Sequence, residues 1–341
     1  MTEPVQEVSD ARTSPRRTLT QYTKGFTRVK DFMIIGFPGL HPAYYGPASA
    51  LLFFTYLFIL AGNFFILVFV GLERCLYKPT YLIFCHLAMN DLLFGTVTLP
   101  KMISRYWWDN KMISFAACFT QMYFVHSLGA IHSLLLLVMS LDRFIAVFLP
   151  LKYPVLITNN NISIACGLSW IGTFLRMMGI VYHAQTLPYC NSNIIVQCYC
   201  DHISITNLAC GESVKFVQAV AVGFAMFSLL LPLSFVIFSY ISIFAIVLRM
   251  RNIEGRYKTL STCTPQLLIS CLYYLPRCFV YLAHAVGFSF SLDIRILLIL
   301  LYSLLPCAVN PIIYCFKTKD IKDILMKRLT NAKVGMKQAS K

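Results

Sequence analysis

The chain is poor in charge for its length. Only 13% of its 341 residues are Asp, Glu, Lys or Arg, whereas 58% are hydrophobic. Soluble globular proteins carry about 25% charged residues, so this composition excludes a water-soluble fold. The first apolar run begins near Ala48 and lacks a small-residue cleavage pattern. We therefore expect it to be a retained membrane anchor and not a removed signal peptide.

Acidic residues are especially scarce. Fourteen Asp and Glu stand against 29 Lys and Arg, which gives a formal charge of +15. In a soluble protein this excess would suggest nucleic acid as a partner, but here the basic residues lie at the ends of apolar runs. Anionic lipid head groups and the enrichment of Lys and Arg in cytoplasmic loops account for that placement. We therefore expect membrane lipids as partners and no nucleic acid.

Seven apolar runs are each long enough to cross the roughly 30 Å hydrocarbon core of a bilayer as a helix. Their breakers place the spans at residues 47–72, 80–100, 114–146, 161–183, 214–250, 258–286 and 293–316. The predicted fold class is an all-α membrane protein, a seven-transmembrane helix bundle at residues 46–316. The sequence has no internal repeat and no matched pair of broken helices, which disfavours a transporter.

Two stretches flank the predicted bundle. Residues 1–45 are polar and basic and contain no Asn for a glycosylation sequon, so we expect a mostly disordered arm outside the cell. Residues 317–341 form a basic tail that we place in the cytoplasm, and the charge bias supports this orientation only modestly. The tail begins with a short amphipathic helix on the membrane surface. Its predicted apolar face carries Ile321, Ile324, Leu325 and Leu329.

Thirteen cysteines are present, and most lie within the apolar runs. We expect these to be small hydrophobes, with no metal site and no cofactor. Others lie outside the membrane, where thiols meet an oxidising environment and usually pair. This second group is Cys118 at the outer end of the third span and Cys190, Cys198, Cys200 and Cys210 in the loop after the fourth.

Polar side chains inside a bilayer are costly, so each is a functional candidate. The main ones are Asn63, Asp91, Asp142, Arg143 and Asn310 with Pro311. Together with further residues in chain order, they resemble the span-by-span markers of rhodopsin-like G-protein-coupled receptors. Those further residues are Gly62, residues 87–91, Phe144, Trp170, Pro232, Tyr240 and Tyr314.

Three longer runs narrow the resemblance. Residues 141–154, 258–264 and 310–319 are similar to signatures of the odorant, or olfactory, receptors, in particular their fish-like class. The resemblance covers roughly residues 37–328. Two departures are Phe144, where the family usually has Tyr, and Pro265-Gln266, where it usually has Ser-His. The resemblance implies a plasma-membrane protein with its N-terminus outside, expected in olfactory neuron cilia.

The resemblance also implies a mechanism in which a ligand shifts the bundle between two packings. Arg143, paired with Asp142, would hold the resting bundle and meet a heterotrimeric G protein of the stimulatory type when the sixth span moves. Tyr240 and Tyr314 would rearrange to support the open form. Asn310 and Pro311 belong to the same activation motif. The alternative for Arg143 is an arginine that merely snorkels at a helix end.

Asp91 with Asn63 and Asn310 is similar to the central polar cluster of such receptors, where a sodium ion often sits. On the third span this chain has His132, eleven residues before Arg143. A histidine facing a carboxylate favours a shared proton over a cation. We therefore expect a weak or absent sodium site. The alternative is a histidine satisfied by a neighbouring backbone group.

By resemblance, the external cysteines would pair as Cys118–Cys200 and Cys190–Cys210. One thiol remains over, and Cys198 could take the place of Cys200. Either pairing fastens the loop over the mouth of the bundle as a lid.

A ligand pocket is expected beneath that lid, between the third, fifth and sixth spans. Helical spacing places one set of residues on the inward face of the third span and another on a face of the sixth. They are Met122, His126, Gly129 and Ala130, then Tyr274, Arg277, Cys278, Tyr281 and His284.

Arg277 is the sharpest of these signals, because it follows Pro276 deep in an apolar run and a buried cation requires an anion. We predict that it binds an anionic group on the ligand, helped by His126 and His284. The alternatives are pairing with Asp293, Glu212 or a backbone carbonyl.

The sequence thus predicts an odorant receptor for a small, anionic molecule. A second interpretation is a rhodopsin-like receptor for an endogenous lipid or steroid-like mediator, and a third is a transporter or channel. An enzyme is disfavoured, since no nucleophile, base and orienting group occur at a plausible spacing.

Overall fold

The described part of the chain contains seven apolar helices of membrane-spanning length, as the sequence predicted. The computed structural model describes residues 29–190, 192–288 and 290–339. Within them, seven helices are long and apolar enough to cross a membrane, and we number them as the first to seventh spans. They are α1 (Tyr45–Leu72), α2 (Pro79–Trp107), α3 (Phe115–Phe148), α5 (Asn159–Gln185), α7 (Ser213–Arg249), α8 (Ile253–Ala285) and α9 (Leu292–Lys317). Short helices α4 (Tyr153–Leu156) and α6 (His202–Thr206) lie in loops, and α10 (Lys319–Ala339) follows the bundle.

The predicted bounds of the spans agree with the structure to within two residues, with two exceptions. The second span continues through Pro100 to Trp107, because in a membrane bundle neighbouring groups compensate the hydrogen bond that an interior Pro removes. Its last turns are fixed by Arg105, which donates to the carbonyl of Ile35 at 3.1 Å and to Asp109 at 2.6 Å. The sixth span begins at Ile253, five residues early, since its first turns project beyond the apolar run.

A small sheet covers one end of the bundle, which we call the loop end. Strand β1 (Asp31–Ile34) pairs antiparallel with β2 (Met112–Ser114) and parallel with β3 (Ile194–Ile195). Part of the arm expected to be disordered is therefore folded, because the edges of two loops supply backbone partners for it. The rest of the predicted arm, residues 1–28, lies outside the described residues.

Lipid tails are as apolar as the side chains of a neighbouring helix, so apolar contact alone does not hold two spans together. Close approach of the helices and hydrogen bonds between them do so instead. Gly62 on the first span faces Pro311 on the seventh, and a Cβ at this glycine would lie 3.1 Å from the Pro311 ring. The hydroxyl of Tyr273 donates to the carbonyl of Gly129 at 2.7 Å and joins the sixth span to the third. Small residues and polar tips thus set the helix positions around the site.

Helix α10 leaves the bundle at the opposite end, which we call the Arg143 end. Its Ile321 side chain is fully buried in the core of the bundle, and Ile324 and Leu325 pack partly buried against the same core. Lys78 forms an ion pair with Asp320 at 2.9 Å. The predicted short amphipathic helix is therefore present, with the side chain of Leu329 outside the described set.

Candidate functional site

A polar network occupies the Arg143 end of the third span. The Arg143 guanidinium lies 3.2 Å from the Asp142 carboxylate and donates to the Thr80 hydroxyl at 2.6 Å. The same carboxylate accepts from the Tyr153 hydroxyl at 2.8 Å. Asp142 is fully buried, so the pair is more than a surface contact. The sequence did not single out Thr80 or Tyr153 as members of this network.

Two tyrosines predicted to take part in activation lie in one large apolar cluster of the bundle and have buried hydroxyls. Tyr314 is fully enclosed and stacks on Phe84, with ring centroids 4.5 Å apart. Tyr240 is 6% exposed in the same apolar cluster. Within the described residues, the Tyr314 hydroxyl has no hydrogen-bond partner.

The central polar cluster joins three spans at mid-bundle. The Asn310 amide donates to Asp91 at 2.8 Å, and His132 Nδ1 lies 3.3 Å from the other carboxylate oxygen. Asn63 bonds elsewhere, donating to the Cys307 carbonyl at 2.9 Å. Asn310 and His132 therefore lie against different oxygens of the Asp91 carboxylate.

Two disulfides fasten the second loop at the loop end. They join Cys118 to Cys200 and Cys190 to Cys210, while Cys198 is a buried free thiol. Gln121 supports the same point by accepting from the backbone N–H of Cys200 at 2.9 Å. The loop is thus held on the third span directly above the bundle.

The lid is also tied to the third span by a cluster of ionisable groups. His126 Nε2 accepts from the backbone N–H of His202 at 3.2 Å and lies 3.5 Å from Asp201. Burial, with a smaller contribution from the neighbouring His126, lowers the pKa of His202 to about 4 against the opposing effect of Asp201. Burial acts to raise the pKa of Asp201, but the adjacent His126 and the Ser204 backbone N–H, which donates to the carboxylate at 3.3 Å, outweigh burial and leave that pKa below its usual range.

A cavity of about 160 Å³ lies beneath this lid. Its walls come from the second to seventh spans and from the lid itself. Five of the predicted pocket residues line it: His126, Gly129, Ala130, Arg277 and Tyr281. Five further lining residues carry polar groups, and they are Tyr199, Asp201, Tyr273, Tyr302 and Ser303.

Arg277 is 9% exposed and lies against the cavity between two aromatic rings. Its guanidinium carbon is 3.9 Å from the ring centroid of Tyr273 and 4.8 Å from that of Tyr302. Its Nη1 reaches the Tyr273 carbonyl at 3.4 Å, a long hydrogen bond. Among the described residues, no carboxylate lies within ion-pair distance of it. Asp293, one of the partners considered, instead accepts from the backbone of Gly39 at 3.1 Å.

Other predicted pocket residues lie away from the cavity lining. Met122 is fully buried in the apolar cluster under the Cys118 disulfide. Tyr274 turns toward the third span, with its hydroxyl 2.7 Å from that of Ser133. Cys278 is partly buried outside the lining, and the side chain of His284 is not among those described.

Sequence reasoning missed the residues that the lid and the seventh span contribute. Tyr199 and Asp201 flank the disulfide cysteine Cys200, and that position could have indicated them, because a cross-linked residue brings its neighbours to the mouth. Tyr302 could have been indicated by its hydroxyl, which is a polar group within the apolar run of the seventh span. The partner of Arg277 that helical spacing failed to find is Tyr273, one residue from the predicted Tyr274.

The sequence also matches a known protein family. The family described as olfactory receptor matches residues 52–332. The chain belongs to the olfactory receptor family. Human olfactory receptor 52K1 is 34% identical over 86% of this chain and 93% of its own length. Human olfactory receptor 2AT4 is 33% identical over 87% and 92%, and rat olfactory receptor 226 is 34% identical over 89% and 92%. This olfactory receptor is therefore a rhodopsin-like G-protein-coupled receptor and not an enzyme.

Proposed function

We propose that this olfactory receptor binds a small odorant carrying an anionic group in the cavity beneath the lid and activates a stimulatory heterotrimeric G protein at its Arg143 end. The observation that carries the anionic preference is Arg277, a buried cation at the cavity with no carboxylate partner in the described part of the chain. We also assign the receptor to the fish-like class, on its motif resemblance alone.

Electrostatics supports this ligand class. A buried charge without an opposite charge costs several kcal/mol, and aromatic faces compensate only about 2 kcal/mol of that when desolvated. The Tyr273 and Tyr302 rings orient the guanidinium while leaving its donors short of an acceptor. A carboxylate, sulfate or phosphate on the odorant would supply charge-assisted hydrogen bonds there.

The size of the cavity supports a small odorant over a steroid-like mediator. Pockets for drug-sized molecules are typically about 300 Å³ or more, whereas this one is about 160 Å³. A short aliphatic or aromatic acid fits the volume and the single cationic side chain at the cavity.

The proposed orientation places the loop end outside the cell. Disulfides persist in an oxidising compartment, and both of them lie at that end. The basic tail and the Arg143 network then face the cytoplasm, where a G protein is available. Antibody access to epitope tags in intact cells tests this orientation, and a tail tag stained without permeabilisation contradicts it.

Replacement of Arg277 tests the ligand assignment. We expect Arg277→Met to abolish cyclic-AMP responses to short carboxylic acids, because the acid then enters a cavity without a cation. Arg277→Lys should retain a weakened response, since the charge remains but the planar fork is lost. The assay compares acids with alcohols of equal length at matched surface expression.

Arg143→Ala is the inactive control in the same assay, since the G-protein contact is then missing. An unchanged response of Arg277→Met to every acid in the panel rejects the anionic ligand. Uptake of the acid without a change in cyclic AMP would favour a transporter.

A further inference from the structure

A second arginine lies within the membrane, on the fourth span and outside the odorant cavity. Arg176 is partly buried, and its Nε and Nη2 atoms are enclosed without a hydrogen-bond partner among the described residues. Its guanidinium carbon lies 6.0 Å from the ring centroid of Phe224 on the fifth span. The hydroxyl of Thr173, three residues earlier, is likewise buried and unpaired. Residues three apart on a helix are neighbours, so unpaired donors share one face.

Among the described residues, no carboxylate lies within ion-pair distance of this arginine. The fourth and fifth spans, Asn159–Gln185 and Ser213–Arg249, contain no Asp or Glu. The two buried acids of the described spans are engaged elsewhere, Asp91 by Asn310 and His132, and Asp142 by Arg143 and Tyr153. The charge is therefore left to a group from outside the chain.

The depth of Arg176 limits which group can reach it. It lies four residues beyond the middle of the fourth span toward the loop end, or about 6 Å at 1.5 Å per residue. The hydrocarbon half-thickness is about 15 Å, so the phosphate of a bilayer lipid stays well above it. Side chains on a helix tilt toward its N-terminus, here the Arg143 end, which directs Arg176 away from the nearer interface.

We propose that Arg176 and Thr173 form a binding site for the carboxylate of a long-chain fatty acid, which lies in the bilayer along the groove between the fourth and fifth spans. The guanidinium offers the charge and the Thr173 hydroxyl a further donor. The acyl chain packs on the exposed apolar side chains Phe227 and Leu231 of the fifth span, three and seven residues after Phe224 and so on the same helix face. This site is separate from the odorant cavity, although Met177 and Ala225, next in sequence to Arg176 and Phe224, line that cavity from within.

A photoreactive palmitic acid, with a diazirine near its carboxyl end, tests the site on the full receptor in phosphatidylcholine nanodiscs. We expect labelling of the fourth and fifth spans, mapped by mass spectrometry. Palmitic acid should compete and hexadecanol should not, because the alcohol lacks the charge. Arg176→Gln should reduce labelling about tenfold or more, as expected for loss of a charge-assisted bond, and Arg176→Lys should retain most of it.

Arg277→Gln is the matched control, a buried arginine of the odorant cavity whose loss should leave this labelling unchanged. Equal competition by hexadecanol, or full labelling of Arg176→Gln, overturns the site. Competition by added phosphatidylserine as effective as by palmitic acid overturns the fatty-acid assignment. If Arg176→Gln fails to fold, the comparison of acid with alcohol on the unmodified receptor and on Arg176→Lys decides. If the unmodified receptor is labelled as expected but responds to none of the odorant acids, only the proposed function is rejected.

Discussion

Three arginines in or beside the membrane differ in what compensates their charge. Arg143 has a carboxylate and a hydroxyl at 3.2 and 2.6 Å, so its charge has an opposite charge beside it within the chain. Arg277 has aromatic faces and one long backbone contact. Arg176 has an aromatic ring at 6.0 Å. The two incompletely paired arginines are the ones at which we place ligands from outside the chain.

At the same scale, His202 makes the stability of the lid dependent on pH. Its pKa is lowered to about 4 in the folded lid by burial and by His126, whereas an unfolded histidine titrates near 6.5. As pH falls from about 6.5 to 4, the unfolded state binds the proton first, so stability falls by at most about 1.4 kcal/mol per pH unit. The measurement is the melting temperature of the purified receptor at pH 7.5, 5.5 and 4.5.

His202→Gln should flatten this pH dependence. His183→Gln, at an exposed histidine near the end of the fourth span, should leave it as in the unmodified receptor. Identical pH profiles for His202→Gln and the unmodified receptor contradict the assignment.

Because His132 lies beside Asp91, we predict that sodium does not change agonist potency at this receptor. His132 lies 3.3 Å from the carboxylate, where a cation would otherwise bind, so we expect the same agonist potency in sodium and in N-methylglucamine buffer. His132→Ala opens that side and should introduce a sodium effect. A severalfold shift in agonist potency with sodium in the unmodified receptor counts against the prediction.

How far the sequence predicts the site depends on the kind of signal each residue carries. Arg277 and Asp91 were found because a charge in an apolar run is rare and costly. Tyr199 and Asp201 were missed because a disulfide in a loop, and not a helical period, brings them to the cavity. Met122 carries the right helical spacing, yet the sheet at the loop end covers its side of the third span.

At the scale of elements, helices were predictable and the sheet was not. A span needs only its own apolar length, so its position can be read from local sequence. Strand β1 forms because it pairs with residues far away in the chain, Met112–Ser114 and Ile194–Ile195. Because the backbone hydrogen bonds of β1 are non-local, the polar composition of residues 1–45 predicted only a disordered arm.

The strand is expected to stabilise the loop end through Phe32. This ring is fully buried and stacks on Phe115, with centroids 5.7 Å apart. Phe32→Ala should lower the free energy of unfolding by about 3–5 kcal/mol, as for other buried aromatic residues. Thermal unfolding and surface expression measure this, with Met33→Ala on the opposite face as the control. Equal losses for the two variants would mean that the strand is not anchored by its buried face.

At the scale of the whole molecule, contacts run from the cavity to the bundle centre. Arg277 lies on the Tyr273 ring, which stacks on His132 with centroids 4.4 Å apart, and His132 lies against Asp91. Asn310 continues the series into the seventh span. Mutation is what establishes coupling along such a series, and Tyr273 is the residue to change.

We expect Tyr273→Ala to uncouple odorant binding from signalling, because the ring between the cavity and His132 is removed. Tyr273→Phe keeps the ring and loses only the bond to the Gly129 carbonyl, which should shift potency slightly. Cyclic-AMP dose-response curves, together with ligand binding on membranes, separate the two effects. Comparable maximal responses from both variants would exclude Tyr273 from transmission.

The doubly cross-linked lid has a consequence for timing. An odorant arriving from the aqueous side passes a cover that is anchored to the third span by one disulfide and folded on itself by the other. Such a cover slows entry and exit alike, because both wait for the same opening event, while the equilibrium occupancy is unaffected. Signals from this receptor should therefore rise slowly and outlast a brief pulse of odorant.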